Sequence, residues 1–94
     1  MNFLIFDLDN TLLHLSNRQL KLLEFNTNTN TYTKQFYNTI IPKNSKLKRL
    51  LSNFSNPKFI FSNAQIGHVL YSMDSLDILD NFTNIYSYTT LQLY

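Results

Sequence analysis

Asp7 and Asp9 are the residues best suited to chemistry. They are two carboxylates, two positions apart, directly after the short apolar run Asn2–Phe6. In an extended segment, positions i and i+2 face one side, so both could meet a single ligand. If the strand ends at Asp7, the turn reorients Asp9 but keeps the pair close. Adjacent carboxylates repel, and one resists ionising unless a cation lies between them. Mg²⁺ suits such a pair, because it takes one or two carboxylates and completes its shell with water and phosphate oxygens. A carboxylate can also attack phosphorus to give an aspartyl-phosphate. A neighbouring acid can protonate the leaving oxygen and then activate water. The plainer alternative is a strand-end turn whose Asp residues only cap backbone amides.

Such a pair needs a scaffold, and the chain predicts one. Asn2–Phe6 reads as a buried strand by its length and Phe/Ile content. Asn17–Phe25 reads as a short helix, Asn26–Thr33 as a polar loop, and Lys34–Ile41 is ambiguous. Ser45 is the expected N-cap of a helix in which Leu47, Leu50, Leu51 and Phe54 recur on one face. Asn56-Pro57 ends that helix. Lys58–Ser62 is a second strand, Ala64–Met73 a helix with Ile66, Val69, Leu70 and Met73 at helical spacing, and Ser75–Asn81 a further helical turn. Thr83–Tyr88 is the third strand. This alternation predicts an α/β fold, a partial Rossmann-like parallel sheet of about three strands with right-handed crossovers. Ligands of such sheets bind beyond the carboxyl ends of the strands, which is where Asp7 and Asp9 lie.

Composition narrows the function classes. The chain has 94 residues, enough for one small domain. Its hydrophobic content of 44%, with eight Phe and six Tyr, excludes a disordered composition. A net charge of +2 gives no dense basic face for nucleic acid. The Lys43, Lys46, Lys48 and Arg49 cluster reads as a solvated helix face. With no Cys, thiolate metal sites are excluded. No apolar run approaches a membrane span, and Met1–Phe6 is too short for a signal peptide, so a cytoplasmic protein is expected. The 13 Asn against one Gly and one Ala reflect coding bias more than chemistry.

Asp7-x-Asp9-x-Thr11, preceded by Phe6 and followed by Leu12, resembles motif I of the haloacid dehalogenase-like (HAD) phosphohydrolases. Phe59-Ile60-Phe61-Ser62 resembles their motif II, a strand ending in Ser or Thr. The continuation Ile60-Phe61-Ser62-Asn63-Ala64, His68, Leu76, Ile78, Asp80, Phe82 and Ile85 resembles the pyrimidine 5′-nucleotidase-like branch, whose pattern reads I-F-T-N-A, then His, then G-[IL]-x-x-x-F-x-x-I. The resemblance implies a HAD-type core over 1–14 and 42–88 within a single domain 1–94, with 15–41 as a reduced cap. It implies that Asp7 is nucleophile and metal ligand, and that Asp9 is general acid/base and offers a carbonyl to the metal. By the same resemblance Thr11 supports the loop, and Thr11, Ser62 and Asn63 form the phosphate-binding set. The implied cofactor is Mg²⁺, and the implied substrate a small phosphomonoester such as a nucleotide.

Two family elements have no counterpart. No Lys or Arg follows Lys58, and no acid follows Asp80. The family needs a cation after motif II and one or two metal-completing acids after a fourth strand. Asp74, Asp77 and Asp80 are no substitutes, because they fall at the opposite edge of a parallel sheet. The expectation is a truncated or diverged phosphatase with weak activity. The alternative is a catalytically inactive remnant that binds phosphate, metal or a protein. Self-association through the open sheet edge is a further expectation. His68 reads as a packing or capping residue, and His14 either faces the cleft or is simply exposed. A phosphorelay receiver is disfavoured, because its acceptor Asp ends the third strand and Thr83–Tyr88 holds no acid.

Overall fold

The computed structural model of the protein describes residues 2–28 and 34–87, with the backbone alone over 23–28. Three short strands, β1 (Leu4–Phe6), β2 (Lys58–Ser62) and β3 (Asn84–Ser87), form a parallel sheet in the order β1-β2-β3. Four helices join them: α1 (Asn17–Asn28), α2 (Lys34–Ile40), α3 (Ser45–Ser52) and α4 (Ile66–Leu76). The predicted α/β class and parallel sheet are therefore present. Leu4 pairs with Lys58 and Phe6 with Ile60, while Ser62 pairs with Ser87. All three strands thus release their carboxyl ends at the same edge.

Local signals account for most boundaries. Ser16 and Gln19 form a reciprocal capping box at the start of α1. The Gln19 amide donates to Ser16 Oγ at 3.2 Å, and the Ser16 amide to Gln19 Oε1 at 2.7 Å. The Gln19 side chain also donates to the Ile40 carbonyl at 2.9 Å, tying α1 to the end of α2. Helix α1 runs on to Asn28, past the expected end at Phe25, so part of the expected 26–33 loop is helical. The remainder, 29–33, lies outside the described residues, as does the last residue of the expected third strand, Tyr88. The ambiguous segment 34–41 is helix α2.

The N-cap of α3 is Asn44, one residue before the expected Ser45; its side-chain oxygen accepts from the Leu47 amide at 3.0 Å. Asn and Ser are equally good caps; Asn44 takes the role because its backbone, at φ −120° and ψ 84°, is non-helical while Ser45 is already the first helical residue. Helix α4 continues to Leu76, where Asp77 closes it in the left-handed region at φ 66°. A single 3-10 turn (Leu79–Asn81) then leads to β3. Among the described residues, no helix is long and apolar enough to cross a membrane.

The two faces of the sheet differ. On one, Ile60 and Ile85 pack with Leu8, Tyr37, Ile40, Leu51, Val69 and Met73 in a single core. Segment 15–41 therefore contributes Tyr37, Ile40 and Ile41 to that core. On the other face, Phe3 and Ile5 are each 56% exposed and Phe61 47%. Two of these rings pack on aromatic neighbours. Phe3 meets Phe59 edge to face, and Phe61 stacks on Tyr86 with ring centroids 4.6 Å apart.

This asymmetry predicts a stability contrast within one strand. Ile60→Ala removes a fully buried side chain and is expected to cost about 2–5 kcal/mol. Phe61→Ala, on the open face, is expected to cost less than half as much. Urea denaturation of both variants measures the difference.

Candidate functional site at the carboxyl edge of the sheet

The register of β1 against β2 sets the site. Asp7 follows β1 at the edge where β2 ends in Ser62. Immediately beyond, the chain wraps around one atom, the carbonyl oxygen of Leu8. It accepts from the amides of Thr11 at 3.2 Å, Leu12 at 3.0 Å and Leu13 at 2.9 Å. The Leu8 side chain is fully buried, so the loop is pinned from both its backbone and its side chain. Asn10 turns the chain at φ 62°, a region that Asn tolerates far better than β-branched residues. The Asn10 amide then bonds back to the Leu13 carbonyl at 2.8 Å.

That turn presents both carboxylates at one opening. Asp7, Asp9, Asn10, Ser62, Asn63 and Ala64 line a cleft of about 380 Å³. The Asp7 carboxylate is steadied through Oδ1, which accepts from the Leu8 amide at 2.9 Å. Ser62 Oγ accepts from the Ala64 amide at 3.1 Å, so its hydroxyl proton is left to donate towards the cleft. Helix α4 begins just past Ala64 with no side-chain cap, and a helix start of this kind carries partial positive charge. Of the expected site residues, four therefore share the cleft: Asp7, Asp9, Ser62 and Asn63. Thr11 does not line it. Its backbone helps close the loop, and its carbonyl lies 3.0 Å from His14 Nε2. His14 lines a separate hollow with Leu12, Leu13, Gln19 and Ile41.

Asp9 has a partner that sequence reasoning assigned to packing. His68 Nε2 lies 3.1 Å from Asp9 Oδ1. On the far side of the ring, Nδ1 lies 3.1 Å from the hydroxyl of Tyr37. Tyr37 is fully buried, and the His68 side chain is 14% exposed against 42% for Asp9. A hydrogen-bonded chain thus runs from the core to the cleft: Tyr37, His68, Asp9. Tyr37 comes from α2, in the ambiguous segment. Nothing local in that segment links Tyr37 to Asp9.

Asp74, Asp77 and Asp80 are elsewhere. Asp74 pairs with Lys34 at 3.5 Å. The Asp77 carbonyl accepts from Lys48 Nζ at 3.0 Å, and Asp80 sits in the 3-10 turn that precedes β3. Lys58, at the start of β2, is buried and donates to the carbonyls of Phe54 and Asn56. It therefore stands at the opposite edge of the sheet. No cationic side chain is among the residues that line the cleft. A hollow of similar size along α3, about 400 Å³, is lined by Asn44, Lys46, Leu47, Arg49, Leu50 and Asn53 and holds no carboxylate.

The donor set can be tested against a divalent cation. Among the described residues, no group of three or more His, Asp or Glu side chains converges. The cleft does offer the two carboxylates of Asp7 and Asp9. No hydrogen bond among the described residues ends on the Asp9 carbonyl. Mg²⁺ commonly binds through one or two carboxylates and keeps several waters, so this set fits it. No protein-family model matches the chain, and neither do curated proteins or solved structures.

The positive φ at residue 10 yields a test of the loop. Asn10→Gly is expected to leave thermal stability within about 0.5 kcal/mol of the parent, whereas Asn10→Val should cost about 1–2 kcal/mol because a β-branched residue resists this region. Equal melting temperatures for the two variants would contradict the loop geometry.

Proposed function

We propose that the protein is a HAD-like phosphohydrolase of the pyrimidine 5′-nucleotidase-like branch. It would act on small phosphomonoesters through an aspartyl-phosphate. The observation that carries the reading is the shared cleft of Asp7, Asp9 and Ser62 across the β1/β2 edge. Asp77 adds support: it stands where the branch pattern carries Gly, and it takes the positive φ that Gly favours.

In this mechanism the free oxygen of Asp7 attacks phosphorus, and the bond to the leaving oxygen breaks. Asp9 gives its proton to that oxygen from the carboxylate oxygen that His68 does not engage. A water then attacks the phosphorus of the aspartyl-phosphate, and its proton returns to Asp9. Phosphate leaves and Asp7 is regenerated. Ser62 donates its hydroxyl to a phosphate oxygen, and the Asn63 amide can do the same. Mg²⁺ held by Asp7 and by the Asp9 carbonyl would offset the charge of the carboxylates and the phosphate. Such positioning and electrostatic stabilisation dominate phosphoryl transfer.

One observation favours a second reading. The cleft lining contains two carboxylates and no cation, and loss of one preorganised stabilising group typically lowers rate by about 10²–10³. On this reading the chain binds metal and phosphate without turning substrate over.

Hydrolysis of p-nitrophenyl phosphate and pyrimidine monophosphates separates the readings. Wild type should show Mg²⁺-dependent turnover that Asp7→Asn reduces to background. Equal rates in both proteins would remove the enzyme claim. Mg²⁺-dependent binding of beryllofluoride without turnover, followed by fluorine NMR, would then establish the binding module.

A further inference from the structure

We infer that His68 is a positioning residue for Asp9, held by Tyr37 in the tautomer that carries its proton on Nε2. The inference deepens the phosphatase reading and rests on it only for its catalytic consequence.

For the neutral ring, hydrogen-bond chemistry dictates the direction of the chain. Oδ1 of Asp9 is an acceptor both in the carboxylate and in the acid protonated on Oδ2, so at 3.1 Å it calls for a proton on His68 Nε2. A neutral imidazole protonated there has a lone pair on Nδ1. The Tyr37 hydroxyl, 3.1 Å away, is the donor that satisfies it. The reverse arrangement, with the proton on Nδ1, would set a ring lone pair against the carboxylate. Which nitrogen of a metal- or substrate-directed His holds the proton is commonly set by the bond its other nitrogen makes. Here the same logic passes one residue further, to an acid.

Packing holds the ring in place. Tyr37 and His68 have ring centroids 5.9 Å apart, and Tyr37 also lies against Tyr71 at 5.7 Å. Tyr37 and Asp9 belong to segments that meet only through tertiary structure, and His68 is separated from Asp9 by 59 residues of chain. The consequence for Asp9 is directional. One oxygen is fastened to His68, and the other is left for a proton to move to or from the leaving group. Without His68, an Asp side chain 42% exposed would sample several rotamers, most of them unproductive. Precise orientation of this kind is what effective molarity depends on.

The test uses the full chain and two kinds of readout. Imidazole nitrogen-15 spectra, at about pH 8 where an ordinary imidazole is neutral, should show His68 protonated on Nε2 in wild type. They should show a mixture of tautomers in Tyr37→Phe, which keeps the ring and removes the hydroxyl. Three-bond couplings should report one χ1 rotamer for Asp9 in wild type and averaging in His68→Leu. On p-nitrophenyl phosphate, His68→Leu should lose about 10–100-fold in kcat, the range typical when an outer-shell hydrogen-bond partner is removed, with KM little changed. His68→Gln, whose amide can reach the same carboxylate oxygen, should recover part of the loss. A proton on Nδ1, a tautomer balance that Tyr37→Phe does not move, or an Asp9 rotamer indifferent to His68→Leu overturns the inference whether or not the chain is an enzyme. Turnover that His68→Leu leaves intact overturns it as well. Equal rates in wild type and Asp7→Asn, with the NMR results as expected, would defeat the phosphatase reading and leave the Tyr37–His68–Asp9 chain standing.

Discussion

The carbonyl oxygen of Leu8 is the point on which the cleft depends. Three consecutive amides, Thr11 to Leu13, converge on it, while the Leu8 amide is taken by Asp7 and its side chain fills the core. Each hydrogen bond is worth only about 0.5–1.5 kcal/mol net, but the geometric constraint is strong. A loop drawn around one buried oxygen has little freedom left, so the residues on either side of Leu8 must point away from the core. Those residues are Asp7 and Asp9. The same contacts that close the turn therefore expose both carboxylates, and the parallel register of β1 and β2 brings Ser62 up beside them.

Among the described residues, the scaffold under this turn is covered by helices on one side. Helices cover the face that carries Ile60 and Ile85, and aromatic side chains pair with each other on the opposite face. Parallel sheets are normally covered on both faces. Here the order of the site rests on a single layer, in which α4 is the main support. That helix carries His68 near its start and Val69, Met73 and Leu76 into the core. Any loosening of α4 would reach the cleft directly, because the ring that contacts Asp9 sits on its first turn.

What could be read from sequence depended on the range of the interaction. Strand β2 was legible residue for residue, since Lys58–Ser62 is apolar, short and bounded by Pro and Asn. The acid pair was legible because its spacing and its place after a strand are local facts. The α3 cap was missed by one position, since Asn44 and Ser45 are both good caps and only backbone geometry chooses between them. The role of His68 was not legible at all. Between Ile66 and Val69 it looks like part of an apolar helix face, and its contact with Asp9 spans 59 residues. Tyr37 was hidden for the same reason, in a helix of seven residues, too short for a clear period.

The two ends of β2 show how the polar groups divide between structure and chemistry. At its start, Lys58 is buried and its ammonium is spent on the carbonyls of Phe54 and Asn56. That cation satisfies the chain entering the strand and cannot serve a ligand at the far edge. At its end, Ser62 has a hydroxyl proton free to donate, and it faces two carboxylates of which each has an oxygen engaged and an oxygen open. Burying a Tyr hydroxyl and a His ring is costly unless both are satisfied. The fold accepts that burial at the carboxyl edge, where the chain of bonds ends on an exposed acid. The Lys58 bonds end on backbone carbonyls inside the fold. The Tyr37–His68–Asp9 chain ends in the cleft, so its effect is on the direction in which Asp9 points.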